Sequence, residues 1–180
     1  MFVDMTTINS LTPGIWNIEP SHSEVGFTVR HLGLSKVRGR FNTFSGTVTI
    51  ADNQLSSSVS ASIDMSSIDT NNAQRDGHLQ SGDFFNTATH PTMVFASSEV
   101  NETSLKVNLT INGITKAVSL NLDFHGVTVD AYGMTRAGFS ASGQFNRSDF
   151  GIDFNAPIGL DGMLVSDKVN IELEIQIVPA

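Results

Sequence analysis

The side chains able to do chemistry in this 180-residue chain are five histidines, His22, His31, His78, His90 and His125, and a scatter of carboxylates; cysteine is absent. Without cysteine there is no thiolate metal site, no thiol nucleophile and no disulfide framework. No two histidines stand at an H-x-H or H-x3-H spacing, so no metal site is expected. The chain holds no G-x-S-x-G, H-E-x-x-H, Walker A or G-x-G-x-x-G pattern. Asp64, Asp69 and Asp83 with His78 could in principle act as acid and base. Nothing in their spacing demands it, and no catalytic residue is assigned.

The segment HSEVGFTVRH carries a histidine at each end, His22 and His31. In a regular strand two residues nine apart face opposite sides and lie roughly 30 Å from each other. They therefore cannot share one ion or one proton relay. His31 ends an apolar face, where it either meets the polar head of a ligand or makes a structural hydrogen bond. His22, in the turn EPSHSE, is read as bonding its own loop. Between Glu24 and Asp52 there is no acid, while Arg30, Lys36, Arg38 and Arg40 all fall there. That stretch is either a solvated rim or a local anion or head-group contact.

The elements that must position these residues are strands. Val25, Phe27, Val29 and His31 share one face, and the same period of two runs through Phe44, Val48 and Ile50, and through Val59, Ala61, Ile63 and Met65. It returns in Leu105 to Ile111, Val118 to Phe124 and Val169 to Ile177. Asn112-Gly113 supplies the two positive-φ residues of a type I′ turn and predicts a hairpin pairing Ile111 with Ile114, Val107 with Val118 and Leu105 with Leu120. Only residues 71–86 lose the alternation. A short helix is expected there, capped by Asn71 or Asn72, weakened by Gly77 and ended by Gly82. Long strands with one apolar and one polar face make an antiparallel sandwich or a barrel, and alternation does not choose between them.

The net charge is −8, which disfavours nucleic acid as a partner, because phosphate binding needs a surplus of cations. Twelve phenylalanines stand against one tyrosine and one tryptophan, which fits either a packed core or an aromatic-lined cavity. The first sixteen residues lack the basic and apolar regions of a signal peptide, and no apolar run is long enough to span a bilayer. A cytoplasmic protein is expected, with transient membrane contact and a homodimer both compatible with the sequence and neither specified by it.

Five segments together carry a family resemblance: GIWNIEPSHSEVGFTVRHLGLSKVRGRF (Gly14 to Phe41), RDGHLQSGDFF (Arg75 to Phe85), HPTMVFAS (His90 to Ser97), LTINGITKAVSL (Leu109 to Leu120) and FNRSDFGI (Phe145 to Ile152). In these motifs and their order the chain resembles the YceI-like polyisoprenoid-binding family, with Glu19 where that pattern usually has Asp. The resemblance implies an all-β fold, an extended antiparallel lipocalin-like β-barrel with a short helical insertion around 71–86. Residues 1–13 would be a flexible extension and 14–180 one domain. It also implies that the lumen binds, stores or carries an isoprenoid lipid, such as a polyprenyl quinone, its precursor or a polyprenyl lipid, with no cofactor. The inward-face candidates for the lining are Phe27, Val29, Phe44, Val48, Ile63, Phe95, Leu109, Leu122, Phe124 and Phe139. Phe84 and Phe85 are candidates for a cap over one mouth, and His31 and Arg38 for head-group contact. Two alternatives remain at this level: a small-molecule enzyme working inside the barrel, and a stress-response structural protein with a filled core.

Overall fold

The structure, a computed structural model, describes residues 7–154, 157–158, 162–163 and 165–180. Its strands are β1 (Gly14–Ile18), β2 (Glu24–His31), β3 (Ser35–Phe41), β4 (Phe44–Ile50), β5 (Ser58–Asp64), β6 (Ile68–Asp69), β7 (Thr92–Val100), β8 (Ser104–Ile111), β9 (Ile114–Val129), β10 (Thr135–Asn146), β11 (Pro157–Ile158), β12 (Gly162–Met163) and β13 (Lys168–Pro179). One helix, α1 (Ala73–Leu79), lies between β6 and β7.

Three pairs of short strands are single staves broken by a kink. A 3-10 turn at Pro20–His22 separates β1 from β2, Asn42-Thr43 separates β3 from β4, and a 3-10 turn at Met65–Ser67 separates β5 from β6. Counted this way, eight antiparallel staves follow one another round a barrel: β1/β2, β3/β4, β5/β6, β7, β8, β9, β10 and β13. The last stave closes on the first. Trp16 pairs with Pro179 and Ile18 with Ile177 in β1, while Val25 pairs with Leu173 and Thr28 with Asn170 in β2. Closure removes the long free edges that an open sheet of these strands would present. Barrel and not sandwich is therefore the outcome that alternation had left open.

The period of two sets the faces. Along β8, Leu105, Val107, Leu109 and Ile111 are buried, while Lys106 and Asn108 are exposed. The hairpin between β8 and β9 has the expected register, with Ile111 opposite Ile114, Val107 opposite Val118 and Leu105 opposite Leu120. Its turn residues Asn112 and Gly113 sit at φ 55° and 74°. Register slips once between β9 and β10, at Gly138/Phe139.

Two sequence expectations change in detail. The helix stops at Leu79, well before Gly82, with Asn72 as its cap accepting from the Arg75 amide. Asn71 instead takes a left-handed conformation, φ 62°. Of the expected flexible extension 1–13, residues 1–6 lie outside the described residues. The remainder is docked: a 3-10 turn at Ile8–Ser10 buries Ile8 and Leu11 against one end of the barrel. Burying two aliphatic side chains offsets the ordering of so short a segment.

Candidate functional site

The barrel encloses a cavity of about 400 Å³ whose wall is almost wholly aliphatic and aromatic. Of the residues expected on that wall, Phe27, Val29, His31, Phe44, Val48, Ile63, Phe84, Phe85, Phe95, Leu109, Leu122 and Phe139 line it. Many inward side chains are only part-buried although they face away from the outer solvent. Val25, Phe27, Val29, Phe44, Val59, Phe95, Phe139, Phe145, Ile171, Leu173 and Ile175 all behave this way. Interiors are normally packed to the density of organic crystals, and a filled barrel would bury these groups fully. Their residual exposure is exposure to the lumen.

Phe27 shows how the wall is built. It stands opposite Gly39 across β2 and β3, and its ring covers the space a Cβ at Gly39 would need, the nearest approach being 2.3 Å. The ring then continues through Phe41 at 5.7 Å and Phe41 continues to Phe85 at 6.4 Å, an aromatic track from the barrel wall to the segment after α1.

The two ends differ. At one end the wall is made by Ile8, Leu11, Ile50, Val100 and Leu105, all buried. At the other end Arg75, His78 and Phe154 line the cavity and are also exposed, so the lumen reaches the surface there. This mouth is framed by α1, by the β2–β3 hairpin and by the segments around residues 150–154 and 165–166. His78, Phe84 and Phe154 form a triangle of rings with centroids 5.1–5.2 Å apart. His78 also meets Asp83 at 2.9 Å.

Most polar side chains on the wall collect at this mouth, His31, Thr70, Arg75, His78 and Arg147, while Ser57 stands towards the other end and accepts from the Ala51 amide. No Asp or Glu is among the described residues of the wall. Asp76 sits behind it, accepting from the Thr70 amide at 2.9 Å and from the Thr70 hydroxyl. The Arg75 Nε donates to Thr70 Oγ1 at 2.8 Å. Arg147 is 6% exposed and donates to four carbonyls: Ser166 at 3.1 Å, Ile152 at 3.0 Å, Phe154 at 2.8 Å and Val165 at 3.3 Å. Burial lowers its pKa from the ordinary guanidinium value, with Asp167 and Asp153 opposing that shift. Arg147 thus staples the 152–154 and 165–166 segments together at the rim.

Two expected site residues lie elsewhere. Arg38 points outward, paired with Glu172 at 3.5 Å over a shallow outer groove that also holds Glu24, Asp123 and Glu174. Phe124 keeps the inward face but stacks on Phe139, centroids 5.0 Å apart, and is not on the cavity wall. Sequence reasoning missed Arg75, His78, Thr70 and Arg147 as mouth residues. The first two stand in the RDGHLQSGDFF segment and Arg147 in FNRSDFGI, so the motifs contained the signal without its meaning.

The remaining chemistry-bearing residues are dispersed. The His22 Nδ1 bonds Glu19 within its own turn, as expected. His125 bonds Ser140 at 2.6 Å on the outer face. Asp64 caps Ser66, and Asp69 accepts from the Asn71 amide and from Asn42, so neither joins His78 and Asp83. Among the described residues no group of three or more His, Cys, Asp or Glu side chains could hold a metal ion. No helix among them is long and apolar enough to cross a membrane.

The comparisons agree with this architecture. A UPF0312 protein of Photorhabdus laumondii is 40% identical over 161 residues, covering 87% of this chain and 83% of that one. The crystal structure of the Campylobacter jejuni YCEI protein superposes with a TM-score of 0.70 at 28% identity, over 84% of this chain and 90% of that one. A polyisoprenoid binding domain from Saccharophagus degradans superposes with a TM-score of 0.69 at 15% identity, over 92% and 98%. The family profile described as YceI-like domain matches residues 16–177, nearly the whole barrel, and the chain belongs to that family.

Proposed function

We propose that the chain binds a long isoprenoid lipid, its tail threaded into the lumen and its head left at the mouth beside α1. The observation that carries this reading is the hollow, apolar interior itself: inward-facing Phe, Ile, Leu and Val side chains surround about 400 Å³ of space and open to the surface at one polar end. The Saccharophagus degradans neighbour, a polyisoprenoid binding domain, supports the same ligand class.

A tunnel of this kind selects by depth and shape. Each buried CH2 contributes about 0.8 kcal/mol gross, so a five-carbon unit contributes about 3–4 kcal/mol before ordering costs. A few units suffice for tight holding with no polar contact along the tail. At the head, His31, Arg75 and Arg147 offer donors, and among the described residues the wall offers no carboxylate to repel an acceptor. Head-group contact therefore moves from Arg38 to this set, with His31 the member already expected. Carriage between membranes is the corresponding role for a protein that shields such a tail from water.

The test is organic extraction of protein purified from its native host, followed by mass spectrometry, alongside native mass spectrometry of Phe27→Asp. The expected result is a co-purifying prenyl lipid that the variant does not retain, because a carboxylate facing an apolar lumen has no partner. A folded Phe27→Asp protein with unchanged lipid occupancy would remove the lumen from the reading.

A further inference from the structure

The β2–β3 hairpin carries three features that its role in the barrel wall leaves unexplained. Its tip is Leu32-Gly33-Leu34, with Leu32 at φ 54° and Gly33 at φ 68°. A left-handed conformation is unfavourable for a branched L residue, and Asn is the stable choice there. Leu34, next along, is 80% exposed. Just behind the tip, Arg30 and Lys36 stand directly opposite each other on the outer face, both exposed. Like charges at opposed positions destabilise a strand pair. Among the described residues neither has an ion-pair partner, whereas Arg38 and Arg40 further along are matched by Glu172 and Asp69.

The position of this hairpin gives these features a common direction. Its inner face, with Val29, His31 and Val37, lines the cavity. His31 bridges to Val165, and the Arg30 amide donates to Ser166 Oγ at 3.0 Å, which joins the hairpin to the Arg147-stapled rim of the mouth. The tip and the open end of the lumen therefore lie together. The stretch from residue 25 to residue 51 has no acid in a chain of net charge −8.

We propose that this hairpin docks the barrel, mouth first, on the surface of an anionic lipid bilayer. Leu34 enters the head-group layer, while Arg30 and Lys36 lie over it and meet the lipid phosphates. The acidic remainder of the molecule is repelled by the same surface, so the contact orients the protein with the lumen facing its source of lipid. An apolar tip between two unmatched cations suits a bilayer better than an acidic protein surface, which needs the cations alone. Identifying the bilayer as the source of cargo rests on the proposed lumen function; the docking does not.

The experiment is vesicle flotation with the delipidated full chain. It uses vesicles of phosphatidylcholine alone and of phosphatidylcholine with about one third phosphatidylglycerol. Flotation is expected only with the anionic vesicles, and it should weaken as salt is raised past physiological strength. Arg30→Gln and Lys36→Gln are each expected to weaken binding about five-fold. Leu34→Ser is expected to weaken it about ten-fold, with circular dichroism and lumen occupancy unchanged. Equal flotation with both vesicle types, or full flotation of the combined Arg30→Gln, Lys36→Gln, Leu34→Ser variant, would overturn the proposal. No flotation of the wild type would overturn it too, and would hand the hairpin to an acidic protein partner. Cargo plays no part in this readout, so a failed lumen assignment and a failed docking surface give separate results.

Discussion

Gly39→Ala tests whether the interior is hollow. A Cβ at this position would come within 2.3 Å, 2.6 Å and 2.9 Å of three atoms of the Phe27 ring. Ordinary carbon contacts lie at about 3.5–4.0 Å, so the ring must retreat by roughly 1.2–1.7 Å. The β2 backbone is paired to β3 on one side and to β13 on the other, and β3 is tied to β6 just beyond Gly39 at Arg40 and Phe41, which leaves the lumen as the direction of retreat for the ring. In a solid core such overpacking costs about 1–3 kcal/mol or more. In a hollow one the ring turns off its preferred rotamer and loses part of its contact with Phe41, about 1 kcal/mol in all. For a chain of this size that is a fall in Tm of about 2–4 °C. The displaced ring then narrows the passage, and affinity for a polyprenyl ligand is expected to drop at least about ten-fold, equivalent to 1.4 kcal/mol. Thermal melts of the empty protein and native mass spectrometry titrations with a polyprenyl alcohol measure the two effects. Destabilisation of about 3 kcal/mol with unchanged ligand affinity would refute the reasoning, since it would mean a packed interior that no ligand traverses.

Substitutions at three further positions probe the frame of the barrel. Arg147→Met removes the donors to four carbonyls at the rim and is expected to cost about 3 kcal/mol, seen as a lower urea midpoint at unchanged slope. Arg147→Lys should recover less than half of that loss, because an ammonium cannot span the same fork of acceptors. Gly113→Ala should cost about 2 kcal/mol by chemical denaturation, combining a left-handed backbone with a Cβ that would come within 2.9 Å of the His90 ring. Hydrogen bonds from Ser21 and His22, with the charges of His22 and Arg136, hold Glu19 at a pKa of about 2, below its ordinary 4.5. The unfolded chain then takes up the proton first as pH falls. Glu19 thus contributes stability that is complete above pH 4.5 and disappears towards pH 2. In acid titrations of unfolding, Glu19→Gln should flatten that part of the stability curve.

What the sequence made legible was whatever repeats or turns locally. Alternation along β8 and β9, and the positive-φ demand met by Asn112-Gly113, set a register with no tertiary information. Arg38 shows a signal of direction that was legible. It alternates with Val37 and Phe41, which line the cavity, so its outward direction was present in the period, and its charge was given more weight than its place. Phe124 was not legible in this way. It keeps the inward face that the period gives it, and what no local pattern shows is that its ring packs on Phe139 instead of meeting the cavity. The mouth was harder still. Arg147 acts through carbonyls at residues 152, 154, 165 and 166, and carbonyls belong to every residue type. Closure of β13 on β1 and β2 joins positions more than 140 residues apart, beyond any local pattern.

That closing strand has a consequence for biosynthesis. β13 is hydrogen-bonded to β10 on one side and to both β1 and β2 on the other. While residues 168–179 are still on the ribosome, the nascent chain has every other stave but two unsealed seams, with its greasy inner faces open to water. Pairing between residues so distant in sequence is slow, and such half-built sheets are prone to aggregate. The risk of aggregation is therefore greatest just before residues 168–179 emerge, when a nearly complete barrel waits for one strand.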